Sequence, residues 1–196
     1  MTGIGIRHWL FLMLIFMFIG WVQESALESF SNKKFINRGF LTGPYIPIYG
    51  FGGLFMIFSC DPLVKVSPKP IGIFLVFFAG ALGCTIIEFL TGIITEKALK
   101  RRLWDYDKLF MLFADRIKAS KKLKKFLLKL VYKKYITLPT FIIFGLVSVA
   151  LVYLFPIVKP AILKIDNSLI LMVDISAGVI VVVDFIGKTI KSNRKR

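Results

Sequence analysis

Five apolar runs dominate this chain and leave it no soluble fold. They cover residues 9–27, 45–60, 71–95, 138–158 and 169–186. A hydrocarbon core about 30 Å thick takes about 20 helical residues to cross, so all but the short second run reach or approach that length. Lipid offers no partner to a main-chain N–H or C=O, so such runs are expected to be helices that satisfy their own backbone. A mean hydropathy of +0.75, with 57% hydrophobic residues and 20 phenylalanines, agrees. The expected fold is an all-α polytopic integral membrane protein, one membrane domain over 1–196, with about five transmembrane helices. A basic, cytoplasmic, interfacial amphipathic segment over 97–135 completes it. The first run is expected to stay as an anchor, since only Arg7 precedes it and no small-residue cleavage site follows.

A net charge of +16 would point to nucleic acid in a soluble protein. Here the cations lie between spans, where attraction to anionic headgroups explains them, and no nucleic-acid partner is expected. Within 118–135, Leu123, Phe126, Leu127, Leu130 and Val131 fall on one side of a helix and lysines on the other, the pattern of a helix lying on a leaflet. Cys60 and Cys84 have no metal-binding or disulfide spacing, and His8 stands alone. Gly187, Lys188 and Thr189 echo a phosphate loop without its earlier glycine or its strand, which excludes an NTPase. No metal, cofactor or catalytic residue is expected.

Charge inside the spans is the functional signal. Glu88, Gly92 and Glu96 recur at a four-residue step, one narrow stripe of a helix, with Thr85, Thr91 and Thr95 close by. A carboxylate at mid-bilayer costs about 2.5–3.5 kcal/mol on insertion scales, so Glu88 should face protein and have a partner. Glu24 and Glu28 share a face of the first run, one turn beyond Gly20, and the fifth run carries Asp174 and Asp184. Between the first two runs, NKKFINRGFLTGPYIPIYGFGG combines glycines with Pro44 and Pro47, which predicts a turn and a broken start to the second span. Asp61, Pro62, Pro68 and Pro70 are expected to end that span.

Positive residues set the orientation. Three, Lys33, Lys34 and Arg38, join the fourteen between Lys97 and Lys134 and five in the tail on one side; the other side holds the remaining five of 27. The N-terminus is therefore expected outside and the C-terminus in the cytoplasm of a cell-membrane protein. Spans one, three and five then run in the same sense. Their acids fall toward the inner leaflet, beside Asn37, Arg38 and the basic, aromatic RRLWDY. The candidate substrate or coupling site is Glu24, Glu28, Asn37, Arg38, Glu88, Glu96, Arg101, Arg102, Trp104, Asp105, Tyr106 and Asp184. Arg38 or Arg101 could pair a glutamate through two bonds. Helix-gluing ion pairs would give the same pattern. GWVQESALESFSNKKFINRGF and GCTIIEFLTGIITEKALKRRLWDY also echo one another, glycine and glutamates followed by cations and an aromatic exit.

The stretches GWVQE, NRGFLTGPYIPIYGFG, EFLTGIITEKALKRRLWDY and LPTFIIFG resemble the family of putative type-IV ABC transporters, the CmpB-like permeases, from Gly20 to Pro156. The resemblance implies a role for Glu24, Asn37, Arg38, Gly39, Gly43, Pro44, Pro47, Gly50, Gly52, Glu88, Gly92, Glu96, Trp104, Asp105 and Tyr106. Similar members follow WDY with an asparagine-rich FN-x-x-G-R-I segment, where this chain has KLFMLFADRIKASKKLKKFLLKLVYKKYI. The function implied is a permease-like component of a transport system, working with a separate ATPase subunit or as a homo-oligomer, in contact with anionic lipid. Two alternatives stay open: an intramembrane enzyme or binder using Glu88 and Glu24 on a lipid-linked or membrane substrate, and a non-catalytic membrane regulator or assembly factor.

Overall fold

The structure is a computed structural model that describes residues 4–66, 69–100 and 102–194. Among them are seven helices: α1 (Ile6–Asn32), α2 (Pro47–Val64), α3 (Lys69–Leu99), α4 (Tyr106–Arg116), α5 (Lys121–Lys129), α6 (Leu138–Leu163) and α7 (Asn167–Arg194). Five of them, α1, α2, α3, α6 and α7, are long and apolar enough to cross a membrane. Between 6% and 28% of the spanning window of each is buried. The remainder presents side chains such as Phe74, Ile94, Leu146 and Val183 outward, as lipid as a solvent permits. The protein is integral to a membrane.

Two sequence expectations need correction. Asp61 and Pro62 do not stop the second span, for α2 continues to Val64. Pro62 sits in the last turn, where a missing amide costs a single rung, and the end is closed by Lys65 N–H donating to the Pro62 carbonyl and Val66 N–H to that of Leu63. The basic stretch 118–135 is not one helix. It gives α5, capped by Ser120, whose Oγ accepts from Leu123 N–H, and then a hairpin of β1 (Val131–Tyr132) with β2 (Ile136–Thr137). The strands are antiparallel, with Val131 opposite Thr137 and Tyr132 opposite Ile136. Lys133 and Lys134 both take left-handed backbone angles, φ 49° and 69°, at the centre of a turn that Tyr135 N–H closes on the Tyr132 carbonyl at 3.2 Å. Helical spacing of Leu123, Phe126, Leu127 and Leu130 could not reveal a reversal set by contacts elsewhere.

The chain forms two compact units, one made of residues up to Ile57 with those from Tyr153 onward, the other of Phe58–Val152. In the first, α1 packs along α7, Trp9 stacks on Phe155 at 6.0 Å between ring centres, and Leu12, Met17, Met56, Ile57 and Ile170 are buried. Gly50 and Gly53 bring α2 against Met17 and Phe16 of α1, leaving no space for a side chain. In the second unit Cys60, Val76 and Val152 form a buried centre with Leu63, Val64, Ala79 and Val149. Small residues admit close helix approach there, as is usual in lipid. A Cβ on Gly80 would lie 1.9 Å from Ser148 Oγ, and one on Gly145 2.5 Å from the Phe77 ring.

Gly80→Ala is accordingly expected to destabilise the protein by about 1–3 kcal/mol through overpacking. Gly80→Ala combined with Ser148→Gly should recover most of that, since the two positions share one contact. Thermal unfolding of the purified variants in detergent checks this; equal melting of the single and double variants would refute the packing.

Candidate functional site

The polar residues of the spans form groups within each unit. In the first, α1 presents Gly20 and, one turn later, Glu24. The missing side chain at Gly20 admits the ring of Tyr49 from the first turn of α2, and the Tyr49 hydroxyl donates to Glu24 Oε1 at 2.9 Å. The other oxygen, Oε2, lies 3.6 Å from Arg38 Nε, with the two side chains 31% and 40% exposed. Arg38 is held by its own N–H, which donates to Ser25 Oγ at 3.1 Å. Asn37 is a brace: its Oδ1 accepts from Trp21 Nε1 at 2.6 Å and its Nδ2 donates to the Thr42 carbonyl at 2.7 Å. Glu28 meets only Asn32, whose Nδ2 donates to it at 3.3 Å, as an acid near a helix end does.

The same unit binds Asp184 of α7 to the loop before α2. Thr42 N–H and Gly43 N–H donate to Asp184 Oδ2 at 2.6 and 3.2 Å, the Tyr45 hydroxyl to Oδ2 at 2.9 Å, and the Thr42 hydroxyl to Oδ1 at 2.9 Å. Burial first, then the bond to Asp184 and its charge, push the Tyr45 hydroxyl up to about 12. An acid whose folded value lies above its unfolded value of about 10 contributes stability that is intact below pH 10 and is lost as pH climbs through 12. Alkaline titration of tyrosinate absorbance should show a late-ionising group that disappears in Tyr45→Phe. A Tyr45→Phe curve superimposable on the parent would refute the assignment.

In the second unit the stripe on α3 is covered by the WDY stretch and by the hairpin. Glu88, 6% exposed, accepts from the Tyr106 hydroxyl at 2.7 Å. Tyr106 N–H in turn donates to the Lys134 carbonyl at 3.0 Å. Glu96 takes Arg102 through two bonds, Nε to Oε2 and Nη2 to Oε1, each 3.0 Å. The Tyr135 hydroxyl donates to the same carboxylate, and Arg102 lies 5.3 Å from the centre of the Tyr135 ring. Hydrogen bonding to Glu96 holds the protons of Arg102 and Tyr135 more tightly than usual. Asp105 caps α4 by accepting from Lys108 N–H and pairs with Arg102 Nη1 at 3.3 Å. Trp104 Nε1 donates to the Tyr135 carbonyl at 2.9 Å. Arg101 lies outside the described residues.

The two units thus repeat one device: a glycine, a glutamate four residues later, a tyrosine laid on the glycine with its hydroxyl on the glutamate, and an arginine on the same carboxylate. Gly20, Glu24, Tyr49 and Arg38 make the first; Gly92, Glu96, Tyr135 and Arg102 make the second. A Cβ would come within 2.1 Å of the Tyr49 ring at Gly20 and 2.6 Å of Tyr135 at Gly92. The echo visible in sequence sets Glu24 against Glu88, whereas the geometry sets it against Glu96. Tyr49 and Tyr135, which complete each device, stand 25 and 39 residues from their glutamates, beyond any local spacing. Among the described residues, no three His, Cys, Asp or Glu side chains are grouped to hold a metal ion.

Five spans, with arginine-paired glutamates on two of them, define a polytopic helical membrane protein. Residues 9–136 match the family described as putative ABC-transporter type IV, and the chain belongs to that family. No curated protein and no solved structure matches it.

Proposed function

We propose that the chain is the membrane-spanning part of an ATP-driven transport system, with its glutamates as a coupling or translocation site opening to the cytoplasm. Glu88 carries the reading. A carboxylate this deep in an apolar helix is costly, and a structural tie could be made at less expense by an amide; ionisable groups inside spans are functional by default. The hydroxyl of Tyr106, in the WDY stretch that leads out of the span, donates to Glu88. The glutamate–tyrosine–arginine devices at Glu24 and Glu96 support the reading, for each unit holds a carboxylate in the same way. The surplus of lysine and arginine on two connections and the C-terminal tail supports an outside N-terminus and a cytoplasmic C-terminus. Exposed Leu123 and Phe126 beside the lysines of α5 support contact with anionic lipid.

Family membership supports a separate ATPase subunit as partner. Isolation in mild detergent should recover an ATP-hydrolysing subunit, and the reconstituted pair should move solute into liposomes only with ATP. Conversion of a lipid-linked substrate by the purified chain alone would overturn the reading in favour of an intramembrane enzyme.

A further inference from the structure

The Thr42–Tyr45 loop is built as a receptor for an oxyanion. Two consecutive main-chain amides and two hydroxyls converge on one carboxylate at 2.6–3.2 Å. Successive amides pointing at one anion form the concave nest by which proteins hold phosphates and carboxylates. The loop is braced for it: Asn37 holds the Thr42 carbonyl, and the Tyr45 N–H folds back on the Gly43 carbonyl at 2.9 Å. Pro44 has no amide to offer, so the donors are those of Thr42 and Gly43 with the hydroxyls of Thr42 and Tyr45.

The occupant comes from α7, which packs along α1 but turns most of its spanning surface outward. All four donors lie in the stretch that matches the family, residues 9–136, and Asp184 lies beyond it. Only 6% of the spanning window of α7 is buried, against 22–28% for the other four. Besides Asp184, the contact near this end of α7 is Phe185 against Phe40, with ring centres 6.2 Å apart. Lys188 and Lys191 follow at the helical spacing that shares the face of Asp184. Lys33 and Lys34, both exposed, precede the loop.

We propose that the Thr42–Tyr45 loop binds a phosphate-type oxyanion, for which Asp184 is the resident internal competitor, so that α7 is a strap released when the anion takes the site. The shared chemistry is a phosphate group, carried either by a phospholipid headgroup or free in solution. The proposal does not depend on the transport reading, and its test needs no flux.

The test compares the parent with Asp184→Ala by thermal unfolding, in detergent with inorganic phosphate or chloride at equal ionic strength, and in nanodiscs of phosphatidylglycerol or of a galactolipid that carries no phosphate. Asp184→Ala is expected to melt about 5 °C lower in chloride, having lost several charge-assisted hydrogen bonds. Phosphate should restore most of the loss, and adding Thr42→Val should abolish the restoration. In the parent, phosphatidylglycerol should accelerate amide exchange in α7 relative to the galactolipid if the headgroup is the source. Rescue by inorganic phosphate without a phosphatidylglycerol effect assigns a soluble source. Failure of both phosphate and phosphatidylglycerol to stabilise Asp184→Ala overturns the proposal.

Discussion

A Glu88→Gln protein is expected to insert and melt like its parent and yet to carry no flux. Glutamine keeps the shape, and its carbonyl oxygen can still accept from the Tyr106 hydroxyl that now reaches Glu88 at 2.7 Å. What it removes is the charge, and with it any proton that the carboxylate could take up or release. Removing a carboxylate from a membrane helix relieves a cost of about 2.5–3.5 kcal/mol on insertion scales, so the variant should be no less stable. Tyr106→Phe is the companion: it leaves the charge and removes the bond, and it should reduce flux while retaining part of it. Paired measurements of unfolding temperature and ATP-dependent uptake in liposomes decide the matter. Undiminished uptake by Glu88→Gln would end the site reading and leave Glu88 as glue between WDY and α3.

The second large effect is expected at the glycines beneath the two tyrosines. Valine at Gly20 places carbon 2.1 Å from Cγ at the root of the Tyr49 ring, and at Gly92 2.6 Å from Cδ1 of Tyr135 and 3.1 Å from its Cγ. A ring touched at its root has no easy escape by rotation, so each tyrosine must leave its glutamate. Overpacking of this kind typically costs about 1–3 kcal/mol, a fall of roughly 2–10 °C in melting for a chain of this size. Arg38 and Arg102 should also become more mobile, since each loses the fixed carboxylate it pairs with. Gly178→Val is the control, because nothing lies within 4 Å of a Cβ there. Parallel losses at Gly20 and Gly92, with none at Gly178, are the expected result; a harmless Gly92→Val would remove the equivalence of the two devices.

Much of the fold was legible because lipid makes sequence explicit. The five apolar runs became α1, α2, α3, α6 and α7: α1, α3 and α7 pass both ends of their runs, with Asp166 accepting from Ser168 N–H at the start of α7, α6 passes only the C-terminal end, and α2 begins at Pro47 instead of Tyr45 and ends at Val64 instead of Cys60. The stripe Glu88–Gly92–Glu96 was legible as a face, since helical spacing is local. Arg102 and Tyr106 were legible as neighbours of that stripe, though not the bonds they make with it. Tyr135 was not legible: it reaches the stripe through a turn at Lys133 and Lys134 whose left-handed angles neither residue type favours, so no local preference announces it. Asp184 was legible as an acid in a span, but its receptor was hidden: two of its four donors are main-chain amides, the same in every residue except proline.

Pro62 and Pro156 carry one more consequence. The chain passes between its two compact units within α2, at 57–58, and within α6, at 152–153. A proline cannot supply the rung that runs back four residues, and for these two the missing rungs are those to residues 58 and 152. The elastic resistance of a rod of this kind resides in its rungs, so both crossing points are where the backbone yields most readily to bending.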